Sequence, residues 1–416
     1  MELMRGTACQ FSFAMLSNAE LMASVRAFRR EAITPPFTMF VFQCSSFQQV
    51  LNLDITTRLK AVASRLMDQN QAKVIIPPQR RGMGHWFGGG NMVQDQEGTL
   101  WLTGRFRNQG DSRTGLGAGE RGLELAIYRS DDNAQTFQQS LAFSKVDLNV
   151  GTREVLSIEG AALRLVGDRV ELFVSTEKQG IGYPEKLSSH LKPGTGVWTI
   201  DRLTADSITQ LCNAAVETVL ETDDPRFLHV KDPFLGSHQG ADCLLFCTHP
   251  FCWTSSNTGY VVLDDLALSV KHANLTFFPR GFTWDVAMTR GTALVNLPRV
   301  GVLADQDVQL FFYDGGECVR DLDQHATAMK RPRGYSCEEL GGVAYCQNGD
   351  LNTVQRLSVN HPMFVSPQGT GCSRYVDVLA TADSFIVTWQ QSQDDGSQPL
   401  VMNVVPRVEI EALLIN

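Results

Sequence analysis

A hairpin recurs along this chain, and it constrains the fold more than any single motif. Apolar second strands read LWLTGRF (100–106), VELFVST (170–176), CLLFCTH (243–249), VQLFFYD (308–314) and SFIVTWQ (384–390), roughly every seventy residues. A short polar turn (QDQEG, VGDR, HQGAD, LADQD or TAD) precedes each, and before the turn lies another apolar strand: FGGGNMV, IEGAALRLV, VKDPFL, ALVNLPRVG or YVDVLA. One such hairpin cannot bury both of its faces, but five stacked around an axis can. The pattern predicts an all-β fold, a five-bladed β-propeller over residues 67–416. KVIIPP (73–78) is expected to close the ring as the outermost strand of the fifth blade, with VEIEALL (408–414) as the rival closing strand.

Residues 1–66 lack the repeat. They carry helical patterning at 19–31 and 50–67, and Asn18 and Glu20 interrupt any signal-like apolar core. They are expected to form a short, partly helical N-terminal extension, poorly ordered or upstream of the true start.

With 416 residues, 19% of them charged and a net charge of −9, the chain offers no basic surface for nucleic acid or anionic membrane. No run of eighteen apolar residues is present. The ten scattered cysteines form no C-x-x-C pair, which argues against a zinc site and suggests buried thiols in a cytoplasmic protein. The balance suits a small saccharide or another small polar ligand, with no cofactor. The oligomeric state is not legible.

Antiparallel alternation assigns a face. In a blade running A to D outward from the axis, the B–C loops lie beside the starts of the A strands. Those loops (107–121, 176–196, 249–258 and about 314–340) are long and rich in polar and aromatic residues, as functional loops are. Where A strands enter the central funnel, two carboxylates interrupt apolar sequence: Glu159 in SIEGAAL and Asp232 in VKDPFLG. A buried acid must be paired, bind a ligand or move protons. The bland readings are a salt bridge from Glu159 to Arg153 or Lys178, and an Asp-Pro that starts a turn. Asp111, in the loop RNQGDSRTGLGAGER, is a third candidate carboxylate unless it only braces Arg113. That loop's Gly117-x-Gly119-x-x-Gly122 precedes a strand rather than a helix, so it provides no pyrophosphate site. His85, Trp86, Arg105, Arg121, Lys178, His249, Trp253 and Arg374 complete the candidate site as groups that grip hydroxyls or stack on sugar rings. Trp101 and Trp389 read as core. His85, His249 and Asp232 also include metal-ligand types, but their spacing specifies no coordination geometry and no metal is expected.

Five blades, an Asp-Pro opening one inner strand and a Glu-Gly in another resemble the five-bladed glycoside hydrolases of families 32, 43 and 68. The resemblance implies a glycosidase acting on a small saccharide, with Glu159 as the acid and Asp232 as the transition-state or pKa-tuning Asp; on the reading of the residues, Asp232 or Asp111 would activate water or attack. As the acid, Glu159 would need a pKa raised by burial. The chain departs from those families in order, because its Glu precedes the Asp-Pro. It also departs in blade one, where GHWFGGGNM offers no acid. A non-catalytic sugar- or metabolite-binding propeller is the alternative. SDDNAQTF (130–137) is similar to the Asp-box of sialidases with Ala134 in place of glycine, where Asp132 would staple a turn. Sialidases would also use three arginines on a carboxylate, for which Arg105, Arg290 and Arg374 are available, although five blades argue against that family.

Overall fold

Four antiparallel strands per repeat, five times over, is what the alternating pattern builds. The computed structural model describes residues 52–82, 84–107, 122–191, 194–253, 255–263, 273–317 and 339–416. Blade one has an inner strand broken into β2 (Trp86–Gly88) and β3 (Met92–Gln94), then β4 (Leu100–Arg107), β5 (Glu124–Ser130) and β6 (Gln138–Ser144). Blade two is β7 (Val155–Val166), β8 (Arg169–Lys178), β9 (Val197–Ala205) and β10 (Val216–Leu220). Blade three is β11 (His229–His238), β12 (Ala241–His249), β13 (Asn257–Val262) and β14 (Asn274–Phe278). Blade four is β15 (Met288–Asn296), β16 (Val308–Gly316), β17 (Leu340–Gln347) and β18 (Asp350–Arg356).

Blade five joins the two ends of the propeller. Its inner strands are β19 (Ser373–Ala380), β20 (Ser384–Gln391) and β21 (Leu400–Pro406), and its outermost strand is β1 (Lys73–Ile76), paired antiparallel to β21. The KVIIPP closure is therefore present. The rival segment is instead helix α2 (Arg407–Ile415), so VEIEALL adds no strand. Pro406 lacks the N–H a further ladder needs, and its fixed φ suits entry into a helix.

The helical pattern at 50–67 forms helix α1 (Leu53–Leu66), N-capped by Asn52, whose Oδ1 accepts from Ile55 N. Its Leu59, Val62, Ala63 and Leu66 join the cluster that holds Trp389 and Val405 of blade five. Asn403 Nδ2 donates to the carbonyls of Arg65 and Leu66. The described end of the stretch read as an extension thus shares a core with the blades. The helical patterning at 19–31 lies outside the described residues.

The core is divided among the blade interfaces. Leu172 and Val174 of β8 pack with Leu125 and Ile127 of blade one, while Phe173 between them packs with Leu244 and Phe246 of blade three. Successive side chains of a strand point to opposite faces, and in a propeller both faces are covered. This explains why the second strand of every repeat reads as nearly continuous apolar sequence. Trp389 and Trp101 are core, as expected. At the far end of blade one, Asp132 accepts from the N–H groups of Gln135 and Thr136 and from both neighbouring hydroxyls, while Ala134 adopts φ +65°. It staples this turn.

Candidate functional site at the axial mouth

Every inner strand carries one residue more than its neighbour at the same height. The register slips between Gly88 and Met92, Ile158 and Ala161, Lys231 and Phe234, Gly291 and Ala293, and Arg374 and Asp377. Such bulges re-aim side chains and free backbone N–H groups. Side chains of adjacent blades accept from backbone N–H groups at or near these bulges. Leu163 N donates to Asn91 Oδ1, Gly160 N to Asp232 Oδ1, and Gly291 N to Thr258 Oγ1. Tyr375 N donates to Asp314, and Met92 N to Asp377 Oδ2. Together these struts cross all five gaps between blades. The bulged backbones surround an axial cavity of about 20 Å³, room for a water but not a sugar. Any saccharide must therefore sit above it, at the mouth.

The bulge positions decide which chemistry reaches the axis. Blade two contributes Glu159, blade three Asp232 and blade five Tyr375, the last two at φ +53°. Left-handed backbone at non-glycine residues is strain of the kind functional sites retain. Gly160 must be glycine, because a Cβ there would lie 2.9 Å from both Asp232 Cα and Oδ1. Blade one offers Gly90, where a Cβ would fall 2.2 Å from the Thr103 carbonyl oxygen. Gly90 is thus the counterpart of Gly160, and Gly89 stands where blade two carries Glu159.

Glu159 and Asp232 do come together, since Asp232 binds the backbone of the residue after Glu159. Both are almost fully buried. The partners of Glu159 are neither Arg153 nor Lys178. Arg105 donates Nε (2.8 Å) and Nη2 to its Oε2, and Arg107 lies 3.9 Å from Oε1. Burial alone would raise its pKa, but Arg105, Lys231 and Arg107 hold the carboxyl well below the usual carboxylate range. The raised pKa that the acid role requires is therefore not present. Asp232 Oδ2 faces Arg290 Nη1 (3.4 Å), Lys231 Nζ (3.6 Å) and the Cys247 thiol (3.5 Å).

Around this pair runs an ion-pair network that the sequence reading largely missed. Arg290 donates to Asp314 through Nε (3.1 Å) and Nη2 (2.7 Å), and also to Glu339. Arg374 donates Nη1 to Glu339 (2.7 Å). Burial pushes Asp314 up to about 6 against the pull of Arg290, whereas Arg290 and Arg374 outweigh burial at Glu339 and hold it low. Arg105, Arg290 and Arg374 do converge, with Cζ atoms 5.2, 3.9 and 5.4 Å from the centre of the Tyr375 ring. Unlike a free arginine triad, all three already hold carboxylates of the chain. Aligning the inner-strand positions at the five bulges (Gly89-Gly90, Glu159-Gly160, Asp232-Pro233, Arg290-Gly291, Tyr375-Val376) is the signal that could have found Tyr375.

The remaining candidates separate. The Trp86 ring lies under two guanidinium groups, Arg374 at 4.2 Å and Arg107 at 4.5 Å. Trp253, at φ +55°, packs on His229 at 4.1 Å and on His249 at 4.6 Å. His249 is buried, and desolvation, with Lys231 and Arg290 nearby, lowers its pKa to about 3, so it is neutral. His85 is buried, and its backbone N–H and carbonyl bind Gly82 O and Gln398 N. Lys178 does not join the mouth: wholly buried in blade two, it pairs with Asp201, Thr176 and Thr199, because a lysine ammonium taken out of water requires a countercharge. Asp111 and Arg121 lie outside the described residues.

No protein-family model matches the sequence, and no curated protein matches it. Among solved structures the fold is similar to that of a thermostable family-43 glycoside hydrolase, with a TM-score of 0.50 and 11% identity, covering 79% of this chain and 92% of that one. It is also similar to a protein solved as an RGII complex, with a TM-score of 0.51 and 11% identity, covering 84% and 95%. The chain has a five-bladed propeller fold, the fold it shares with these structures.

Proposed function

We infer that this propeller takes a saccharide at its axial mouth and, with the described residues, binds it rather than hydrolyses it. One observation carries the reading: every described carboxylate at the mouth is engaged by cations, and Glu159, the candidate acid, is held ionised. Glycoside hydrolysis needs one protonated and one ionised carboxyl flanking the bond. Trp86 and Trp253, both partly exposed, supply flat apolar faces for a sugar ring.

Hydrolysis of a small saccharide is the second reading, favoured by the contact between Asp232 and the backbone at Glu159–Gly160. It assigns Glu159 the role of base or nucleophile and needs a proton donor such as Asp111. Calorimetric titration with neutral and acidic monosaccharides, alongside turnover of aryl glycosides, separates the two. Binding without product release is expected. Turnover that disappears in Glu159→Gln and Asp232→Asn would replace the binding reading with the hydrolytic one.

A further inference from the structure

The three arginines around Tyr375 use their side-on edges differently. In Arg105 the Nε–Nη2 edge is filled by Glu159, and in Arg290 the same edge is filled by Asp314. Arg374 is 6% exposed and reaches Glu339 only through Nη1. Its Nε and Nη2 are buried and have no hydrogen-bond partner among the described residues, and the same holds for Arg105 Nη1. The Nε–Nη2 edge is the geometry that receives both oxygens of a carboxylate. A buried donor pair without an acceptor calls for one.

The surrounding charge favours the same ligand. Among the described residues the network joins five cations (Arg105, Arg107, Lys231, Arg290, Arg374) to four carboxylates (Glu159, Asp232, Asp314, Glu339). Within that described network the cations are grouped at the mouth of a chain whose net charge is −9. The indole of Trp86, partly exposed, covers the Arg374 guanidinium at 4.2 Å.

We propose that the mouth recognises an acidic saccharide, a sugar bearing a carboxylate, and that the Nε–Nη2 edge of Arg374 receives that carboxylate while the Trp86 indole turns aside to admit it. This rests on the saccharide-binding reading above and narrows it to a ligand class. The test compares D-galacturonate and D-glucuronate with galactose and glucose at constant ionic strength, by calorimetry and by quenching of tryptophan fluorescence, with acetate as a carboxylate lacking the ring. A uronate is expected to bind at least tenfold more tightly than its neutral counterpart and than acetate, with a fluorescence change. Arg374→Gln should bring the uronate to the neutral sugar's affinity. Arg374→Lys, which keeps the charge for Glu339 but not the edge, should lose most of the preference. Equal affinity for uronate and neutral sugar, acetate binding as tightly as uronate, or a preference that survives Arg374→Gln in folded protein would each overturn the proposal. Failure of every sugar to bind would instead remove the saccharide reading beneath it.

Discussion

Replacing Asp377 by asparagine should change how stability depends on pH, with a sign fixed by the position of this residue at the axis. Asp377 bridges blades five and one by accepting from Met92 N at 2.8 Å. Burial raises its pKa from 3.8 to about 7, against the opposing pull of the Met92 and Val378 N–H groups. Below about pH 4 the carboxyl is protonated in both folded and unfolded chains and contributes no slope. Between about pH 4 and 7 the unfolded chain gives up the proton while the folded chain keeps it, so stability falls as pH rises. At pH 8 the full difference is about 4 kcal/mol, at 1.36 kcal/mol per pH unit. Asp377 keeps some contact with solvent, which screens this to about 2 kcal/mol. Asparagine retains an oxygen for Met92 N and never ionises. Urea denaturation of both proteins at pH 4.5 and pH 8 should therefore show the variant gaining about 2 kcal/mol on the parent between the two conditions. A difference that stays flat, or that moves in favour of aspartate at pH 8, refutes the reasoning.

Lys178→Met should destabilise folding by about 3 kcal/mol, because it strands Asp201 without its countercharge. Saccharide affinity should stay within twofold, since Lys178 is not part of the mouth; urea denaturation and calorimetry check both halves. Gly90→Ala forces a Cβ to within 2.2 Å of a backbone oxygen and should cost about 3 kcal/mol, again by urea denaturation. Glu159→Gln leaves Arg105 and Arg107 facing a neutral group and should cost about 3 kcal/mol even if the mouth performs no chemistry.

The blades were legible because the cores on both faces of each blade bury its second strand almost continuously, and that apolar run survives in VELFVST or VQLFFYD without any alignment. Closure by 73–76 was legible for a related reason: an apolar run left over at one end matched an unpaired edge at the other. The meeting of Glu159 and Asp232 followed from strand order. Their charge state did not, because it depends on Arg105 and Arg107, which sit on a different blade more than fifty residues earlier in the sequence. Lys178 was misplaced because strand order fixes the height of a residue, while the bulge and side-chain direction decide whether it meets the axis or turns into its own sheet. Tyr375 stands at the position in blade five that the two acids hold in blades two and three but carries different chemistry, and a search for carboxylates alone passes over it.

The pairing of Ile76 with Leu400 has a consequence for biosynthesis. A ribosome releases β1 among the first strands and its partner β21 among the last, so blade five stays incomplete until nearly the whole chain has emerged. Such a long-range contact makes ring closure a late event. Until then the exposed edges of the nascent chain are open to other polypeptides.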